Sequence, residues 1–169
     1  MHRLRQKIYN MNTLQAEEKS TETAAYRSYA GGYFKVVLSP EQTGGDMSII
    51  DITLPKGAEP PRHMHQHEDE TFYLLEGEVT FYIGDEETVA KPGEAVFGPR
   101  GVPHKFTLHT PQARMLTVIT PGNFVNFFMD FSQPLAGELK VTPPQGPPPP
   151  ETIEYIVKQA TEKYGTLFV

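Results

Sequence analysis

The stretch Gly57-Ala58-Glu59-Pro60-Pro61-Arg62-His63-Met64-His65-Gln66-His67-Glu68-Asp69-Glu70-Thr71-Phe72-Tyr73-Leu74-Leu75-Glu76-Gly77 sets three histidines and three acidic residues between a proline pair and an apolar run. Alternate side chains of an extended strand share a face. His63 and His65 therefore point the same way, and two converging imidazoles are good ligands for borderline divalent metals. His67 has the same parity and is admitted on spacing alone. Glu70 follows His65 by an odd interval and would face away along a continuous strand. A turn or bulge through residues 66–69 is needed to bring its carboxylate back. From there Glu70, Phe72 and Leu74 share a face, which puts the carboxylate at the end of an apolar inward row.

A second element lies downstream: Gly93-Glu94-Ala95-Val96-Phe97-Gly98-Pro99-Arg100-Gly101-Val102-Pro103-His104-Lys105-Phe106. Its glycines and Pro99 shape a turn that delivers His104 to the start of a strand. His104, Phe106 and Leu108 share a face, again with a polar residue ending an apolar row. His109 is out of phase and points outward. Glu68, Asp69 and Arg100 read as solvated turn residues, and Glu76 and Glu78 as turn flanks without chemistry.

Working outward, short strands alternate with turn signals. The strands are Tyr33–Leu38, Met47–Leu54, Thr71–Leu75, Val79–Ile83, Thr88–Ala90, Ala95–Phe97, His104–Leu108 and Arg114–Thr120. They are separated by Ser39-Pro40, Gly44-Gly45, Pro55-Lys56-Gly57, Gly84-Asp85, Pro92-Gly93, Gly98-Pro99 and Pro121-Gly122. Many short strands with no intervening helices predict an antiparallel sandwich or barrel over residues 26–122.

The two elements resemble the two signature motifs of the cupin superfamily. Gly57, His63, His65, Glu70 and Gly77 fall on every fixed position of the first. Gly93, Pro99, Gly101 and His104 match the second, where Leu108 replaces a final Asn. The resemblance covers about residues 30–122. It implies a mainly β double-stranded β-helix, the jelly-roll barrel, with one divalent transition metal held inside by His63, His65, Glu70 and His104. The family pattern does not use His67, which becomes a residue of the mouth. Mn, Fe, Ni, Co, Cu and Zn all suit three nitrogens and one oxygen, so the ligand set does not choose among them.

The flanks differ in composition. Residues 1–25 are polar, with Leu4, Ile8, Met11 and Leu14 as a weak helical stripe, and read as an N-terminal extension. Residues 123–141 are aromatic-rich. Phe124, Phe127, Phe128 and Phe131 fall on one helical face, expected to seal the outside or mouth of the barrel. The proline-rich run 142–150 reads as a stiff extended connector. Residues 151–169 read as a C-terminal helix with Ile153, Ile156, Val157, Ala160 and Tyr164 on one side and Gly165 as its stop. That stripe must dock on this barrel or on a second subunit.

The chain's 169 residues carry a formal net charge of −6, contain no Cys and include no basic cluster. Nucleic-acid binding needs clustered Lys and Arg, and thiolate chemistry needs cysteine, so both are excluded. No apolar run approaches membrane-spanning length, and the N-terminus lacks the apolar core of a secretory signal. The expected location is the cytoplasm.

Phe72, Leu74, Phe81, Ile83, Phe106 and Leu108 are the expected cavity lining, an apolar wall suited to an aromatic or hydrophobic small molecule. The run from His63 through His104 resembles the quercetin dioxygenase-like branch of single-domain cupins. That likeness implies a dioxygenase acting on an enolic, flavonol-like substrate, with dioxygen as co-substrate and Glu70 as the catalytic base. A non-redox isomerase or decarboxylase of a small acid, or a non-catalytic metal and small-molecule binding protein, are the other classes open. Cupin resemblance also implies a homodimer built by sheet extension.

Overall fold

A computed structural model describes residues 26–169. The N-terminal stripe Leu4, Ile8, Met11 and Leu14 lies outside the described residues. Twelve strands form two antiparallel sheets. The strands are β1 (Arg27–Tyr29), β2 (Gly32–Leu38), β3 (Ser48–Pro55), β4 (His63–His65), β5 (Asp69–Glu76), β6 (Val79–Ile83), β7 (Glu86–Ala90), β8 (Ala95–Gly98), β9 (His104–Leu108), β10 (Gln112–Thr120), β11 (Gln133–Pro134) and β12 (Thr166–Phe168). One sheet runs β11-β1-β2-β3-β10-β5-β8 and the other β12-β4-β9-β6-β7.

Period-two burial holds these strands in register. On β9, His104, Phe106 and Leu108 are buried while Lys105 and Thr107 are less so; on β10, Ala113, Met115, Thr117 and Ile119 face inward. The inner faces of the two sheets meet over Phe34, Ile50, Leu74, Val79, Phe81 and Leu108, each at most 1% exposed. Phe72 stacks on Phe81 with centroids 5.0 Å apart. On the outer side of the larger sheet Arg114 makes a paired contact with buried Asp51, at 2.9 and 2.8 Å. Glycine is required at Gly77. Its φ is +96°, and a Cβ there would stand 2.7 Å from Thr110 Oγ1 and 2.8 Å from the Gln112 carbonyl oxygen.

The eight expected strands are all present, with ends shifted by a few residues. The added elements are β1, β4, β11, β12 and the single helical turn α1 (Pro40–Thr43). Each is two to four residues long, too short for periodicity to register except at β4, whose extended form the alternation of His63 and His65 anticipates.

The aromatic segment forms a 3₁₀ turn, Gly122–Phe124, followed by α2 (Val125–Asp130). Phe124 is buried, and its ring lies 5.1 Å from that of Phe127 and 4.3 Å from that of His65. The C-terminal region is not one helix to its end. Helix α3 (Pro150–Tyr164) stops at Gly165, whose φ of +64° gives the left-handed cap, and β12 follows. The stripe docks on this barrel rather than requiring a second subunit. Ala160 and Tyr164 are buried, Ile156 and Val157 half-buried, and Ile153 remains exposed. The Tyr164 hydroxyl donates to Asp130 of α2 at 2.6 Å. No helix among the described residues is long and apolar enough to cross a membrane.

Leu74 is 1% exposed within this core. Leu74→Ala is expected to cost about 2–5 kcal/mol, the range for truncating a buried leucine without collapse of the site. Urea denaturation monitored by circular dichroism measures it.

Candidate metal centre

His63 and His65 sit on β4, and His63 pairs across to His104 on β9. These three belong to the smaller sheet. Glu70 stands on β5 of the larger sheet, where its neighbours are Gly98 on β8 and Ile119 on β10. The expected bulge is therefore a sheet-to-sheet corner. The chain leaves the smaller sheet after His65, bends through residues 66–68, and re-enters in the opposite sheet at Asp69. Parity along one strand does not apply across such a corner, and Glu70 faces the histidines from the other wall. One donor atom from each of His63, His65, Glu70 and His104 lies within 4.8 Å of every other, and all four residues are buried.

The rings are oriented from behind. His63 Nδ1 donates to the Pro61 carbonyl at 2.8 Å, and His104 Nδ1 to the Val102 carbonyl at 3.1 Å. A carbonyl can only accept, so Nδ1 carries the proton and the Nε2 lone pair is left for the site. His65 Nδ1 lies 3.3 Å from the Thr166 hydroxyl. Glu70 Oε2 is 3.1 Å from His65 Nε2 and 3.3 Å from His104 Nε2. Yet His65 Nε2 is buried without a hydrogen-bond partner, its approach to Glu70 being misaligned. An orphaned ring nitrogen beside a buried carboxylate and two further imidazoles is the arrangement a divalent cation satisfies. The residues fit a metal ion.

Charge and burial divide the group. His63 is pushed down to about 4, by burial first and then by neighbouring His104. Burial alone would lift the Glu70 carboxyl, but His65 and His104 outweigh it and hold Glu70 well below the usual carboxylate range. Burial would lower His65 as well, and the Glu70 carboxylate more than reverses this. The neutral His63 and ionised Glu70 that result are the forms that ligate metal.

A cavity of about 170 Å³ is lined by three of the four candidate ligands, His63, His65 and Glu70. Of the expected lining, Phe72 and Phe106 are present. Leu74, Phe81 and Leu108 instead belong to the closed core, and Ile83 packs against that core half-buried. Parity fixed their face but not their depth: Phe81 packs against Phe72 and Phe106, with centroids 5.0 and 5.7 Å away, without lining the cavity itself. The remaining wall comes from Tyr29, Met115, Phe124, Phe128, Ile156 and Phe168 among others. Phe124 and Phe128 could have been found from the aromatic stripe and Ile156 from the helical one. Tyr29 and Phe168 carried no sequence signal.

The other singled-out residues lie outside this cavity. His67 is exposed and borders a separate outer cleft with Glu68, Asn123, Asp130 and Lys163, because the strand carrying His63 and His65 ends at His65. Glu68 is not solvated: it is 8% exposed, with Oε2 unpartnered. Arg100 is exposed in its turn as expected, whereas Asp69 begins β5 and is half-buried. Asp69 receives the Arg100 backbone N–H at 2.8 Å and its guanidinium at 2.7 Å, tying the corner before Glu70 to the turn before His104. His109 faces outward, with Nε2 2.6 Å from the Thr80 hydroxyl. Glu76 is exposed and Glu78 half-exposed.

The family description "Cupin domain" matches residues 50–119, a span holding all four candidate ligands. The chain is 30% identical over 105 residues to the tetracenomycin polyketide synthase protein TcmJ of Streptomyces glaucescens, covering 56% of this chain and 70% of that protein. The chain belongs to the cupin superfamily. This cupin is also 30% identical over 111 residues to quercetin 2,3-dioxygenase of Bacillus subtilis, covering 66% of the chain but only 33% of the relative's length. Among solved structures, KdgF from Halomonas sp. superposes with a TM-score of 0.52 at 19% identity, over 60% of this chain and 89% of that one, a likeness of fold.

Two outcomes are expected. His104→Ala removes one of three imidazoles and should lower Zn²⁺ affinity at least 100-fold in chelator competition; full occupancy would contradict the ligand set. In the metal-free protein, the unfolded chain binds a proton on His63 more readily than the folded one between pH 6.5 and about 4. His63 thus contributes stability that is fully present above pH 6.5 and lost as the pH falls toward 4. Imidazole NMR should find the His63 ring neutral at pH 5.

Proposed function

We propose that this cupin is a metal-dependent dioxygenase acting on an enolic or catecholic aromatic small molecule. The observation that carries the reading is a buried group of three imidazoles and one carboxylate beside a cavity walled by aromatic and aliphatic side chains, with no Lys or Arg lining it among the described residues. Among the described residues the cavity lining carries no cationic side chain that would hold a substrate carboxylate alongside a bound metal. The partial likeness to quercetin 2,3-dioxygenase points the same way.

A bound divalent metal would supply a Lewis acid for the substrate oxygen. The chain's own groups do the rest. Glu70 is ionised at neutral pH and stands beside the histidines, placed to accept the proton a hydroxyl substrate loses. Phe72, Phe106 and Phe124 sandwich a planar ring and exclude water. Tyr29 lines the same cavity; burial, and after it the Glu70 carboxylate, pushes its phenol up, so it stays protonated and offers a donor. The volume of about 170 Å³ is below the ~300–1,000 Å³ of sites for drug-sized ligands. A single-ring enol or catechol suits the closed cavity, and a flavonol needs the C-terminal roof to yield. A homodimer formed by sheet extension would use an edge other than that of β4, which β12 already covers.

The reading is tested with an oxygen electrode on protein reconstituted with Mn, Fe, Co, Ni or Cu. A panel running from catechols to flavonols should give one dioxygen consumed per substrate lost, and metal removal should abolish it. Turnover under strict anaerobiosis would contradict the proposal, as would no uptake with any pairing.

A further inference from the structure

The three ligating imidazoles are held by two kinds of partner. His63 and His104 each lean on the carbonyl two residues earlier in their own loop. His65 is held by the hydroxyl of Thr166, 101 positions away, with both residues buried. A short strand sets this contact. In β12, Thr166 lies opposite His65, Leu167 opposite Met64, and Phe168 opposite His63. Backbone bonds lock the register at both ends: Gln66 N–H donates to the Gly165 carbonyl and Val169 N–H to the Arg62 carbonyl, each at 3.1 Å. The Phe168 ring lies 6.2 Å from that of His63.

We propose that Thr166 is a positioning residue for the metal, acting through His65, so that the C-terminal strand is a working part of the metal centre and not only a cover for a sheet edge. A hydroxyl can accept from Nδ1–H and thereby present the Nε2 lone pair to a cation, the task the two carbonyls perform for His63 and His104. A strand that served only to cover the β4 edge would be as well served by valine, which has the same shape and high strand preference. The distinction lies in one oxygen atom.

The proposal rests on the metal-site reading, and its test separates the two. Full-length wild type, Thr166→Val, Thr166→Ser and Thr166→Ala are compared for Zn²⁺ affinity by chelator competition and for the visible spectrum of bound Co²⁺. Threonine against valine, and serine against alanine, each differ chiefly by the hydroxyl; the second pair holds the comparison should the valine variant fail to fold. Loss of the hydroxyl is expected to weaken Zn²⁺ binding about 10–100-fold within each pair and to alter the Co²⁺ spectrum, while serine stays near wild type. Equal affinities and spectra within the pairs, or serine falling as far as alanine, would overturn the role of Thr166. Wild type that takes up neither ion would overturn the metal site itself.

Discussion

Three imidazoles and a carboxylate aimed at one buried point form a donor set that a divalent cation would satisfy. Glu70 is ionised and buried, His65 Nε2 has no hydrogen-bond partner, and His63 resists protonation. Moving such a group out of water is costly unless its charges and lone pairs are satisfied. Much of the architecture follows from meeting that demand. The ligands come from both sheets, so the sheets must close on each other. The chain must cross between them within three residues, and the Asp69–Arg100 clamp fixes that crossing to the turn that delivers His104.

The sequence disclosed this arrangement unevenly, for physical reasons. Strands with one buried face announce themselves by period two, and β6 and β9 fall on their expected residues. The ligands were legible because imidazoles at alternate positions, and one histidine placed by a glycine–proline turn, are chemically specific. Glu70 is brought back to the histidines by a turn through residues 66–68, as its odd spacing requires, but that turn crosses from one sheet to the other. Strand parity presumes one continuous sheet, and the corner after His65 breaks that presumption. The same corner turns His67 outward. Depth was less legible than face: Phe72 and Leu74 share parity on β5, but only Phe72 lines the cavity, while Leu74 is enclosed in the core. Glu68 shows the converse, an acidic residue in a turn-like run that the fold nonetheless buries.

Charge placement narrows the chemistry more than fold does. Jelly-roll barrels host unrelated activities, so the argument falls to the wall around the ligands. Among the described residues that wall offers aromatic faces, two hydroxyls from threonine and one phenol, with no Lys or Arg. The hydroxyls of Thr117 and Thr166 and the phenol of Tyr29 can orient a neutral or metal-held oxygen, and they leave a bound metal as the one cationic partner for a carboxylate or phosphate. The acidic surface points away from anionic ligands in the same sense.

The two classes of support behind the histidines also differ in how they assemble. The carbonyls that orient His63 and His104 lie two residues away, within turns shaped by Pro61 and Pro103, so those rings are set as soon as their own loops form. His65 waits for a contact across 101 positions, and long-range contacts carry the larger closure cost. The proline-rich run before α3 moderates that cost, because a stiff extended segment has less freedom to lose than a flexible one. It spans from the barrel wall, where Thr142 N–H donates to the Gly31 carbonyl at 2.7 Å, to a helix whose docking carries β12 onto β4. On this view the connector, the helix and the last strand form one device. It places Ile156 and Phe168 along the cavity and Thr166 beside His65, so that the same segment walls the site and supports its third imidazole.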